Sequence, residues 1–291
     1  TVSTMRSSIW FVLSLAVISC EAGKLDWNIL RDTEASSTAD ERAGCQCGTK
    51  GRHKIVGGTN VAEGEIPWQV GIPVEIVGKI IINCGGTLVS SEWVITAAHC
   101  SSTILELMKV VLGVTNLDFQ KAILVDVAKY IPHEDYIIAM KGHDIALLRL
   151  AEKVSFSKTV FPACLPHKLR DKKFIGASLV TSGWGLLQQT EFTRPRDLKK
   201  VTLTGISNEK CGKSYTTMTS GMMCAMAPGK DSCQSDSGGP LTYTKSGITY
   251  LVGVISFGDG CAKPGVPGVY ARVTKYLDWI DTNSGGTICS K

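Results

Sequence analysis

No internal repeat, no low-complexity block and no Asn-x-Ser/Thr sequon occurs in this 291-residue chain. The first two absences remove repeat arrays and biased tracts from consideration; the third makes N-glycosylation unexpected. Long apolar runs are scarce. The run "IWFVLSLAVIS" at 9–19 follows Met5 and Arg6 and leads into the small residues of "CEAG". It is too short to cross a bilayer, so residues 1–22 read as a leader with a cleaved signal peptide, and no membrane partner is expected. Charge of one sign is also limited. The net charge is +5, and the lysines fall in small groups such as "RDKKF" and "DLKK". These read as solvated faces, not as a nucleic-acid surface.

A 44% hydrophobic content in a chain of this length provides a sizeable core in one or two domains. Thirty glycines and ten prolines punctuate short Val/Ile/Leu runs such as "KIIINCGGTLV", "WVITAAHC" and "TYLVGVISFG". That texture predicts an all-β fold, a barrel or a sandwich. Only the end carries helical spacing, with Val273, Tyr276, Leu277 and Ile280 on one face. Residues 23–54 are polar, form a poor core and read as a pro-segment, and the texture changes to β-like at Ile55. Removing Cys20 with the leader leaves ten of eleven cysteines. An even count in a secreted chain points to disulfides and an extracellular location.

Three short stretches carry chemistry. His99 closes a β-like run in "TAAHC". Asp144 stands at the mouth of the apolar strand "HDIALLRL", where a carboxylate is costly unless something pairs with it. Ser237 sits in the Gly-rich turn "DSGGP". Taken singly, each has an ordinary reading: a surface histidine, a salt-bridged aspartate, a loop serine. Together they supply the nucleophile, base and orienting group that amide hydrolysis needs.

With "KIVGG" at 54–58 and "SGWG" at 182–185, these stretches make residues 55–283 resemble a trypsin/chymotrypsin-family serine protease. The resemblance implies two packed six-stranded antiparallel β-barrels with a C-terminal helix. His99 and Asp144 would belong to the first barrel and Ser237 to the second. It also implies one protease domain over 55–291 and catalysis by Ser237, His99 and Asp144, with Ser256 bonded to the aspartate. The backbone N–H groups of Ser235 and Ser237 would form the oxyanion hole.

By the same resemblance Asp231 lies at the base of the primary pocket, with Ser232 beside it, Gly258 and Gly268 in its walls, and Phe257 where the family usually has Trp. A carboxylate there selects Arg or Lys before the scissile bond. Cleavage of Lys54–Ile55 by an activating trypsin-like protease would free the Ile55 amino group to pair with Asp236. The expected partners are protein or peptide substrates, that activator and protein protease inhibitors, acting on a monomer of two disulfide-linked chains. No cofactor or metal is expected: "CQC" has no histidine or cysteine at zinc spacing nearby, and the loop "LGVTNLDFQKAILVD" lacks a clear pair of glutamates. Lys141 reads as solvent-facing.

The family pattern also implies the disulfides Cys84–Cys100, Cys211–Cys224, Cys233–Cys261 and Cys47–Cys164, leaving Cys45 and Cys289 as the remaining pair. Leu179 and Tyr243 fill both positions of a common family bridge. Ser235 stands where the family normally has glycine. It keeps the N–H donor but adds a Cβ beside the oxyanion hole. That substitution leaves one rival reading of a different class, a catalytically impaired homologue acting as a binding or cofactor protein.

Overall fold

The computed structural model describes residues 46–49, 59–76, 79–101, 105–185, 195–227, 236–258 and 265–290. The strands are β1 (Thr59–Asn60), β2 (Gln69–Ile76), β3 (Lys79–Leu88), β4 (Trp93–Thr96), β5 (Lys109–Leu112), β6 (Ile123–Pro132) and β7 (Ala146–Leu150). They continue with β8 (Ser178–Gly183), β9 (Lys199–Ile206), β10 (Met222–Met226), β11 (Pro240–Lys245), β12 (Ile248–Phe257) and β13 (Gly268–Arg272). Among the described residues, two short α-helices, α1 (Asn208–Cys211) and α2 (Leu277–Ser284), and several 3-10 turns accompany the strands.

Strands β2-β3-β4-β7-β6-β5 close into one antiparallel barrel. In the second half the order β9-β10-β13-β12-β11-β8 is closed by pairing of β8 with β9, and β1 adds to the outer side of β9. The expected pair of six-stranded barrels is therefore present. Closure removes the unpaired edges that would otherwise invite association. Pro73, which cannot donate to a ladder, falls at a register shift in β2, where the pairing with β3 is already interrupted.

Side chains from both halves meet in the core. Val94, Leu147 and Leu148 of the first barrel pack in one cluster with Val273, Leu277 and Ile280 from the C-terminal segment. The expected C-terminal helix is shorter than the sequence periodicity suggests. Val273 belongs to a 3-10 turn ending at Lys275, and the α-helix begins only at Leu277. All four of its apolar positions are nonetheless buried.

Two buried polar contacts tie the start of β2 and the segment before it to the second barrel. Ser182 Oγ donates to Gln69 Oε1 at 2.6 Å, and Lys200 on β9 is ion-paired with Glu65 in a dry environment. Removing one member of such a pair leaves an uncompensated charge, a loss of about 3–5 kcal/mol.

The positions of the absent family bridge are filled by packing. Leu179 is fully buried, Tyr243 meets the Phe174 ring edge-on at 5.4 Å, and the Lys172 ammonium lies 5.3 Å from the Tyr243 centroid.

Candidate active site

β4, buried along its whole length, delivers the chain into a 3-10 turn at Ala98–Cys100 that carries His99. Two contacts fix the turn. Cys100 is bridged to Cys84 of β3, and the Tyr130 hydroxyl of β6 donates to the Ala98 carbonyl at 2.5 Å. Asp144 lies just before β7 and is 1% exposed. Its Oδ1 accepts the His99 backbone N–H at 3.0 Å, and its Oδ2 pairs with His99 Nδ1 at 2.8 Å. Ser256, on β12 of the other barrel, donates its hydroxyl to the same Oδ2.

Three donors thus offset the cost of burying this carboxylate. With Nδ1–H committed to Asp144, a neutral His99 presents Nε2 as a proton acceptor. Burial pushes the Tyr130 phenol up to about 12, with the Asp144 charge adding to the rise. Tyr136 is raised by burial and by the same charge.

Ser237 is held differently. It lies in a turn closed by the Gly239 N–H donating to the Asp236 carbonyl at 2.8 Å, directly before β11. The Ser237 carbonyl accepts from Gly85 N–H of β3 at 2.7 Å, next to the Cys84 that is bridged to the histidine turn. Gly238 has φ +80°, and a Cβ there would lie 2.2 Å from Thr96 Oγ1 and 2.6 Å from the Gly85 carbonyl. Only glycine lets the serine turn approach β4 this closely. The Ser237 hydroxyl and His99 share no hydrogen bond among the described residues, a contact that commonly tightens only when substrate is bound.

Asp236 Oδ1 accepts from Gly185 N–H at 2.8 Å, within the "SGWG" stretch. A Cβ on Gly183 would fall 1.9 Å from that oxygen, so the seat of this carboxylate requires glycine.

Of the remaining expected site residues, Phe257 ends β12 with its ring 5.5 Å from Tyr215, Gly258 follows it, and the buried Gly268 opens β13. Lys141 is exposed at the end of a 3-10 turn. Lys54, Ile55, Asp231, Ser232 and Ser235, together with Cys45, Cys233 and Cys261, lie outside the described residues. The described disulfides are Cys47–Cys164, Cys84–Cys100 and Cys211–Cys224, and Cys289 is disulfide-bonded as well. The two residues after Cys47 reinforce its tether: Gly48 exchanges backbone hydrogen bonds with Pro162 and Thr249, and Thr49 bridges Ile248.

Sequence reasoning missed Tyr130, which braces the histidine turn, and the neighbours of His143. Among the described residues, two groups of side chains have metal-ligand chemistry at close range, Cys84/His99/Cys100 and His133/Asp135/His143. The disulfide consumes both thiols of the first. The second keeps its ligand atoms.

Comparison with known proteins agrees with this geometry. The family model described as Trypsin matches residues 55–280. A venom serine protease, Bi-VSP, of Bombus ignitus is 40% identical over 242 residues, covering 77% of this chain and 67% of the relative. CLIP domain-containing serine protease B4 of Anopheles gambiae is 36% identical over 261 residues, 81% of this chain and 72% of the relative. Coagulation factor XI of Bos taurus is 36% identical over 245 residues, 80% of this chain but only 38% of that larger protein. Two closed barrels, the bonded His99–Asp144–Ser256 set and a match over most of the length lead to one conclusion: the chain belongs to the trypsin family and is a serine endopeptidase.

Proposed function

We propose that this protein is a secreted zymogen. Once cut between Lys54 and Ile55, it cleaves polypeptides after Arg or Lys through an acyl-enzyme on Ser237. The observation that carries the reading is the fully engaged Asp144, which holds His99 with Nε2 free to accept a proton. His99 takes the Ser237 proton as the hydroxyl attacks the scissile carbonyl, then gives it to the departing amine. Asp144 fixes the tautomer and stabilises the imidazolium. The backbone N–H groups of Ser235 and Ser237 receive the oxyanion, and Asp231 receives the substrate cation in a pocket walled by Phe257, Gly258 and Gly268.

The close fit of Asp236 against Gly183 and Gly185 supports its role as the partner of the new Ile55 amino group, because its carboxylate already sits beside the serine turn. The clamp at Cys47–Thr49 supports a two-chain product, with the segment before the cut still attached. Relatives named for venom and for coagulation fit an extracellular, protein-cleaving role.

The test is to cleave the purified precursor with trypsin, remove the trypsin and profile hydrolysis of peptides varied at the residue before the scissile bond. Hydrolysis after Arg and Lys that disappears in Ser237→Ala is expected. Cleavage after aromatic residues would overturn the pocket assignment. No turnover at all would favour the impaired-homologue reading, for which Ser235 is the motive.

A further inference from the structure

We propose that His133, Asp135 and His143 form a binding site for a divalent transition metal, zinc by preference, beside Asp144. The three residues come from the turn after β6 and the segment leading into β7, and each contributes one ligand atom within 4.8 Å of the others. Two imidazoles and one carboxylate are a donor set that suits zinc and disfavours calcium or magnesium, which take oxygen ligands. Ligand atoms on one tetrahedral zinc lie roughly 3.3 Å apart, given bonds of about 2.0–2.2 Å. Rotation of the exposed Asp135 carboxylate and a small movement of the rings closes the difference. A fourth position is left for water.

The surroundings are built around the two rings. Their centroids are 4.7 Å apart, the Trp279 indole stacks on His133 at 5.1 Å, and Tyr276 meets both rings edge-on. His133 is buried, and its Nδ1 accepts the Asp135 backbone N–H at 3.2 Å, which orients the ring. Among the described residues, His143 Nδ1 is buried without a hydrogen-bond partner, the kind of orphan that a metal ion satisfies. The nearby Glu134 carboxylate is engaged by Trp279 Nε1 at 2.7 Å, so Asp135 is the carboxylate available for the ion.

The consequence for activity rests on the function proposed above. His143 has φ +57°, an uncommon backbone conformation for a non-glycine residue. The Ile145 N–H donates to its carbonyl at 2.8 Å, and His133 N–H donates to the Ile145 carbonyl at 3.0 Å. Residues 143–145 therefore bracket Asp144 as one bonded unit. Drawing His143 toward an ion shared with His133 displaces Asp144 and loosens its grip on His99, so zinc inhibits.

The binding test needs no activity: calorimetric titration of ZnCl2 into the full-length Ser237→Ala precursor. One zinc per chain is expected, with affinity falling at least about tenfold in His133→Gln, His143→Gln and Asp135→Ala. It should be unchanged in His167→Gln, whose imidazole is paired with Asp281 elsewhere. Asp135 is on the surface, so its variant remains informative if a histidine variant folds poorly. No zinc binding, or binding that survives all three substitutions, overturns the site. In a second arm zinc is added to the activated enzyme during peptide hydrolysis. Inhibition that is lost in Asp135→Ala supports coupling to Asp144, whereas full activity with zinc bound overturns the coupling.

Discussion

The histidine side of the site and the serine side are immobilised by opposite means. Side-chain bonds hold His99: Asp144 grips both its ring and its backbone, Ser256 steadies Asp144, and Tyr130 steadies the turn. Ser237 is held chiefly by missing side chains, because Gly238 and Gly85 let its turn settle against β3 and β4 mainly through backbone contacts. A bonded residue can be weakened one group at a time. A sterically seated one tolerates little, since a single added carbon must displace backbone.

This contrast can be broken or sharpened by substitution. The largest effect is expected for Asp144→Asn, which keeps the shape but disturbs the His99 tautomer. Turnover should fall by on the order of 10⁴, as in this family's template enzyme, with the fold intact by circular dichroism. Next is Gly238→Ala. Its Cβ would meet Thr96 Oγ1 at 2.2 Å, and moving a nucleophile by about 1 Å costs roughly 10² in kcat. Near-normal turnover in this variant would abolish the distinction drawn here.

Ser256→Ala removes one of three donors to Asp144 and should lower kcat about tenfold, the low end of the roughly 1.5–3 kcal/mol for a hydrogen bond to a charged group. A loss as large as that of Asp144→Asn would show that the three bonds act as one unit. The smallest effect concerns Tyr130. Its folded pKa is raised above the unfolded value of about 10, so its contribution to stability is complete below pH 10 and declines as pH rises through about 12. Denaturant titrations at several alkaline pH values should show a shallower decline for Tyr130→Phe than for the parent.

Much of the chemistry could be read from local stretches because each of its residues stands where a strand meets a turn. "TAAHC", "DIALLRL" and "DSGGP" single out His99, Asp144 and Ser237 jointly, and the structure brings His99 and Asp144 into contact. The two barrels followed from strand texture together with the family resemblance. Contacts between distant segments could not be read in this way. Tyr130 and Ala98 meet only because β6 passes the histidine turn, and Glu65 finds Lys200 only once β9 is in place. Likewise His133 and His143 are ten residues apart in sequence, and only the turn between β6 and β7 brings their rings together. The helix start was misjudged because the apolar face continues into a 3-10 turn, whose side chains are buried just as deeply.

The packing of Leu179 in one cluster with Phe174 and Tyr243, at the positions of the common family bridge, bears on how the cysteines pair. Each disulfide given up shrinks the number of wrong cysteine pairings open to an oxidising chain, by roughly an order of magnitude at this cysteine count. Apolar packing at that point needs no oxidant and no partner search. It makes this corner of the second barrel indifferent to thiol chemistry while the remaining cysteines pair.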